Sequence, residues 1–178
     1  MATGTGKTPT ALYLAHKVTE KISPCLLIVT CPYLNLARQW IESMNQFGLN
    51  PIPCYGSWSS WNERLQTALT GLAVKATSIT AIVVTNKTFL SERFQRLIGS
   101  SQISRFLIAD EVHNLGAQQL RTALDDTIPY RLGLSATPKR HCDEDGTAAI
   151  TRYFGDIVYE YEIADAIRDD VLCRYLYY

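Results

Sequence analysis

Met1-Ala-Thr-Gly-Thr-Gly-Lys-Thr8 stands at the head of the sequence, and a helical pattern follows it directly. Gly4 and Gly6 permit a tight turn and let backbone N–H groups come close to an anion. Lys7 can reach the terminal phosphates of a nucleotide, and the Thr8 hydroxyl is placed to ligate Mg2+. The following helix turns its positive end toward the same anion. Gly4, Thr5, Gly6, Lys7 and Thr8 are therefore the expected nucleotide-binding residues. The string departs from G-x-x-x-x-G-K-[ST] in having Met1 at the first position. A loop of this kind is held by a strand before it, and the sequence begins inside the loop. The expectation is a domain over residues 1–178, part of a longer chain, with its first strand missing. That loss should open a gap in the sheet and bare the neighbouring edges.

Outward from the loop, helical stretches alternate with short β-branched runs. Thr8 to Ile22 predicts a helix with Leu12, Ala15 and Val18/Thr19 on one face. Cys25 to Thr30 predicts a buried strand, Leu34 to Phe47 a helix, and Ser57 to Lys75 contains a third helix. Ile79 to Thr85, Arg105 to Ala109 and Tyr130 to Leu134 predict strands. Thr88 to Ile98, Gln118 to Asp126 and Ile163 to Asp169 predict helices. Ile157 to Tyr161 reads as a last, edge-type strand, and the acidic run Asp143-Glu-Asp145 as a solvated loop. Such alternation predicts an α/β domain with a mostly parallel sheet flanked by helices, whose ligands sit at the carboxyl ends of strands.

Two acids follow directly on one predicted strand, in Leu107-Ile-Ala-Asp-Glu-Val-His113. Asp110 is suited to hold Mg2+, and Glu111 to polarise an attacking water; both tasks need carboxylates fixed at a strand end beside a terminal phosphate. Alone, Asp-Glu is a common solvated strand terminus. After a phosphate loop and two intervening strand–helix units it carries more. Ser135-Ala-Thr137 ends the next strand.

These motifs together, MATGTGKT, DEVH and LGLSATP, resemble motifs I, II and III of superfamily 2 helicases and translocases, in order and rough spacing. The D-E-x-H signature is matched by Asp110, Glu111 and His113. Ile28 to Trp40 looks like motif Ia, and Val83 to Phe89 like a second backbone-contact motif centred on Thr85. The run from Gly146 through Ile167 resembles the exit from the first RecA-like domain in translocases related to restriction-enzyme motor subunits and DNA-repair helicases. The resemblance spans essentially the whole chain. It implies a RecA-like fold, ATP and Mg2+ as ligands, and catalysis by Lys7, Asp110 and Glu111. His113, Ser135 and Thr137 would couple the nucleotide site to a second RecA-like domain. Thr30, Pro32, Arg38, Gln39, Thr85 and Lys87 would meet nucleic acid, DNA ahead of RNA. Two other readings share these motifs: a nucleotide- or DNA-binding fragment without turnover, and an RNA helicase domain.

Composition bounds these expectations. Lysine plus arginine number 17 and aspartate plus glutamate 17, so no bulk basic charge draws the chain to nucleic acid, and contact must be local. Five cysteines with no CxxC pair argue against a disulfide framework and for a reducing cytoplasm. His141-Cys142 lacks the further ligands of a zinc site. Neither a basic-then-apolar leader nor a membrane-length apolar run is present. Trp40, Trp58 and Trp61 fit core packing better than base stacking.

Overall fold

The computed structural model describes residues 5–100, 102–116, 124, 127–136 and 143–173. Helix α1 (Lys7–Ile22) leads into strand β1 (Cys25–Cys31), and α2 (Leu34–Gln46) into the short β2 (Ile52–Cys54). A 3-10 turn at Trp58–Ser60 precedes α3 (Asn62–Ala73) and β3 (Ile79–Thr85). Then come α4 (Asn86–Phe89), α5 (Glu92–Gly99), β4 (Ser104–Ala109), a second 3-10 turn (Val112–Gly116), and β5 (Tyr130–Gly133). The last helices are α6 (Glu144–Phe154) and α7 (Ile163–Arg168).

The described strands form one sheet in the order β2-β3-β1-β4-β5, every pairing parallel, so the expected gap does not open between them. Seven consecutive apolar or β-branched residues make β1 the centre, buried at every position. Its side chains alternate between two cores, as the strand period requires. Leu27 and Val29 join Leu12, Ala15, Ala37, Trp40 and Met44 of α1 and α2 on one face. Leu26 and Ile28 join Leu65, Leu69 and Leu72 of α3, with Phe94 and Ile98 of α5, on the other. The aromatic residues at the edge of that second core, Trp58, Trp61 and Phe94, meet edge to face. Arg93 lies over the Trp58 ring at 4.3 Å. Trp40 and Trp61 are buried, in keeping with their reading as core residues.

Three local expectations are corrected. The predicted helix over 88–98 is two helices, α4 and α5. Ser91 breaks the run by accepting a hydrogen bond from Phe94 N–H, which starts the second helix afresh. Asp143-Glu-Asp145 is a helix start, not a loop. The Asp143 carboxylate accepts from Gly146 N–H at 2.7 Å, and Glu144 and Asp145 lie in the first turn, where acids favour the helix dipole. The run 157–161 forms no strand. A cleft of about 910 Å³ separates it from the outer edge of β5, so its backbone has no ladder to join; Leu14, Leu132, Leu134 and Phe154 line that cleft. Most of the predicted helix at 118–126 lies outside the described residues.

Burial pushes the thiols of Cys25, Cys31 and Cys54 up from the ordinary 9.0 to about 12; at Cys31 the nearby Asp110 charge adds to the effect. Folding therefore favours the neutral thiol. That contribution is complete below pH 9 and is lost as pH rises toward 12, where the unfolded chain has already ionised. Because the thiolate is the nucleophile, iodoacetamide at pH 8 should label exposed Cys173 and leave these three unmodified in the native protein. Peptide mass spectrometry checks this; equal labelling of Cys31 and Cys173 would contradict the packing of β1.

Candidate functional site

The glycine-rich loop ends where α1 begins. Gly6 is the N-cap residue, with φ 85°, a left-handed conformation that favours glycine. Among the described residues no side-chain cap bond is seen at this helix end, and its first turn holds no acid to offset the partial positive charge of the leading N–H groups. Lys7 and Thr8 stand in that first turn, partly buried, beside Thr5 and Gly6. Gly4 lies outside the described residues.

The acidic pair leaves β4 at the same carboxyl edge of the sheet. Four backbone hydrogen bonds lock this exit. Asp110 N–H donates to Thr30 O at 2.8 Å, and Leu134 N–H to Ala109 O at 2.8 Å. Val112 N–H donates to Leu134 O at 2.9 Å, and Asn114 N–H to Glu111 O at 2.9 Å. Between these anchors the chain turns sharply, and Glu111 takes φ 47°. A non-glycine residue held there costs of order 1 kcal/mol or more, and such strain gathers at functional sites. The turn brings the Glu111 carboxylate to 3.7 Å from Lys7 Nζ. Residues distant in sequence thus meet at one point, as the motifs predict. Asp110 is almost buried beside them.

His113 continues the network. Its Nδ1 lies 2.9 Å from Ser135 Oγ and 3.5 Å from Glu111 Oε2. The Asn114 side-chain amide donates to Glu111 O at 3.1 Å and lies 3.2 Å from His113 Nε2. The acidic pair and the end of β5 are thereby joined by side chains as well as by backbone. Gly133 lets them approach: a Cβ there would stand 3.1 Å from Val112 and 3.3 Å from Phe154. Thr137, the third expected coupling residue, lies outside the described residues, as does the His141-Cys142 pair.

Comparison with known proteins places this arrangement. The family model for "Type III restriction enzyme, res subunit" matches residues 1–140. The chain belongs to that family. The res-subunit family is helicase-like, so the resemblance to superfamily 2 read from the motifs holds. One solved structure is that of a nuclease-deletion mutant of the Type ISP restriction-modification enzyme LlaGI in complex with a DNA substrate mimic. It is similar to this chain with a TM-score of 0.66 and 17% identity, over 96% of this chain. The likeness shows a shared RecA-like α/β fold. The match takes in 18% of the LlaGI chain, so this chain spans less than a fifth of that protein. No curated protein matches the sequence.

In this res-subunit domain four of the residues expected to meet nucleic acid, Thr30, Pro32, Thr85 and Lys87, lie at the ends of β1 and β3. The register pairs Cys31 with Thr85, which sets the loop over 30–32 beside the loop over 85–87. Lys87 is exposed there, and Pro32 and Thr85 half-buried, whereas Arg38 and Gln39 are exposed on α2, where Arg38 lies by Glu42 and Tyr55. Thr85 Oγ1 accepts from Thr88 N–H at 3.4 Å and so starts α4. At Thr30 any contact with nucleic acid would fall to the backbone. Its side chain is fully buried, and its hydroxyl donates to Asn86 Oδ1 at 2.8 Å. Thr30 braces the two loops against each other and presents no side chain to a ligand. Sequence reasoning passed over Asn86, although a polar residue directly after a buried strand is a signal for such a brace. Among the described residues, no group of three His, Cys, Asp or Glu forms a separate metal cluster, and no helix is long and apolar enough to cross a membrane.

Proposed function

We propose that this domain is the ATP-binding half of a motor that couples ATP hydrolysis to movement on DNA. The observation that carries this reading is the meeting of Lys7 and Glu111 at 3.7 Å, beside Asp110, at the N-terminus of α1. The donor set fits Mg2+·ATP: amides and an ammonium for the phosphates, a hydroxyl and a carboxylate for a hard cation. Mg2+, held by Thr8 and Asp110, would neutralise phosphate charge. Lys7 donates to the terminal phosphoryl oxygens. Glu111 accepts a proton from water as the water oxygen bonds to the γ-phosphorus and the bond to the ADP oxygen breaks. When nucleotide draws Lys7 away, Glu111 is released to face the water. His113 and Ser135 carry the change toward β5 and, from there, toward a second RecA-like domain. A cation from that second domain would complete transition-state stabilisation.

DNA is favoured over RNA because the restriction-modification enzyme of similar fold was solved with a DNA mimic. With no excess basic charge, binding rests on a few contacts such as Arg38 and Lys87. The affinity of the intact protein for duplex DNA should therefore fall as salt rises, through counterion release. Lys87→Ala should weaken binding alike for all sequences and reduce the slope of log affinity against log salt by about 1. Fluorescence anisotropy over a salt series checks this. An unchanged slope would remove Lys87 from the interface, and binding indifferent to salt would contradict the backbone-contact reading.

A further inference from the structure

Asp110 has a partner that no motif assigns. Its Oδ2 accepts a hydrogen bond from the indole N–H of Trp40 at 2.9 Å, and its Oδ1 accepts from Glu111 N–H at 3.0 Å. Its own N–H is held by Thr30 O at 2.8 Å. Each carboxylate oxygen thus has one donor that fixes its direction and keeps further acceptor capacity. Trp40 is 2% exposed, packed with Ala37 and Met44 in the core formed by α1, α2 and β1. Its ring cannot turn without disturbing that core. An indole nitrogen carries a single donor and no acceptor, so it presents Asp110 with a fixed N–H.

We propose that Trp40 is a positioning residue for Asp110, orienting the carboxylate that receives Mg2+. This rests on the reading of Asp110 as the magnesium-holding group. Partners of ligating carboxylates set their direction, and losing one typically costs about 10–100-fold in metal affinity. Without the Trp40 donor, Asp110 would be nearly buried with Oδ2 short of a partner and its carboxylate held at Oδ1 alone. The same bond ties Asp110 to α2, the helix that carries Arg38 and Gln39.

The alternative is that the bond merely satisfies a buried indole. Trp40→Phe in the intact protein separates the two, because it keeps an aromatic ring and removes the donor. Calorimetric titration with ADP, with and without Mg2+, is the first readout. ADP affinity in EDTA should stay within about twofold of the parent, while the gain in affinity on adding Mg2+ should shrink about tenfold or more. In ATP turnover, the magnesium concentration for half-maximal rate should rise by a similar factor. A lowered melting temperature with an unchanged magnesium gain would overturn the proposal. If Trp40→Phe fails to fold, benzothienylalanine at position 40 replaces the N–H by sulfur at nearly constant shape and is read the same way. Asp110→Ala serves as the reference. If it leaves the magnesium gain intact, the metal reading fails and the proposal with it. If it abolishes the gain while both Trp40 variants keep it, only the Trp40 role fails.

Discussion

Glu111→Gln in the intact protein should bind Mg2+·ATP and hydrolyse it about 10²–10⁴-fold more slowly, the range for removing a general base. The amide has nearly the shape of the carboxylate, and the exit from β4 is held by backbone bonds that the substitution leaves in place. What disappears is a site for the proton of the attacking water. The substitution also removes the attraction between Glu111 and Lys7, which stand 3.7 Å apart. Lys7 no longer exchanges one anion for another when nucleotide arrives, so affinity for ATP should be equal to or tighter than that of the parent. Rapid-quench single-turnover hydrolysis, paired with nucleotide titration, checks both halves. Near-normal turnover would show that the base lies elsewhere.

Lys7→Ala should have the opposite signature. The γ-phosphate loses its main counter-charge, and kcat/KM for ATP should fall about 10²–10³-fold or more, as for loss of one preorganised donor. Nucleotide affinity should fall with it, which separates this variant from Glu111→Gln. Arginine should rescue little, because a planar fork does not substitute for a compact ammonium in a tight loop. Folding should be nearly unaffected. The Glu111 side chain keeps 26% exposure, so water takes the place of Lys7 once it is gone. A melting temperature close to the parent's, with ATP-induced stabilisation lost, is the expected pair of results. Retained stabilisation by ATP would place the phosphates away from α1.

The parts of this domain that the sequence announces are those fixed by local chemistry. Ile79 to Thr85 is a strand with the predicted bounds, because a continuous β-branched run between turn signals has few other options. The meeting of Lys7 and Glu111 at one site is legible because Lys7 opens α1 and Glu111 follows β4, and open α/β sheets gather such turns at the carboxyl ends of their strands. Other features depend on tertiary context. β2 has three residues and contains Pro53, so it shows no periodicity to read. The run 157–161 has the composition of a strand, but a strand also needs a partner, and β5 lies across a cleft. Asp143 reads equally as a loop acid or a helix cap until Gly146 N–H is seen to point at it. Thr30 ends a strand, and nothing in the sequence says whether its hydroxyl faces a ligand or Asn86. The bond from Trp40 to Asp110 joins residues 70 apart, beyond any local pattern.

In the proposed function one site, built from Lys7, Asp110 and Glu111, drives a motor on DNA. Steady-state ATP hydrolysis by the intact protein, measured with duplex DNA, with RNA and with neither, tests it most directly. The expected result is a Mg2+-dependent rate that rises on adding DNA, weakens at high salt, and falls about 10²–10⁴-fold in Glu111→Gln. A rate that is the same with DNA, with RNA and with no nucleic acid would contradict it.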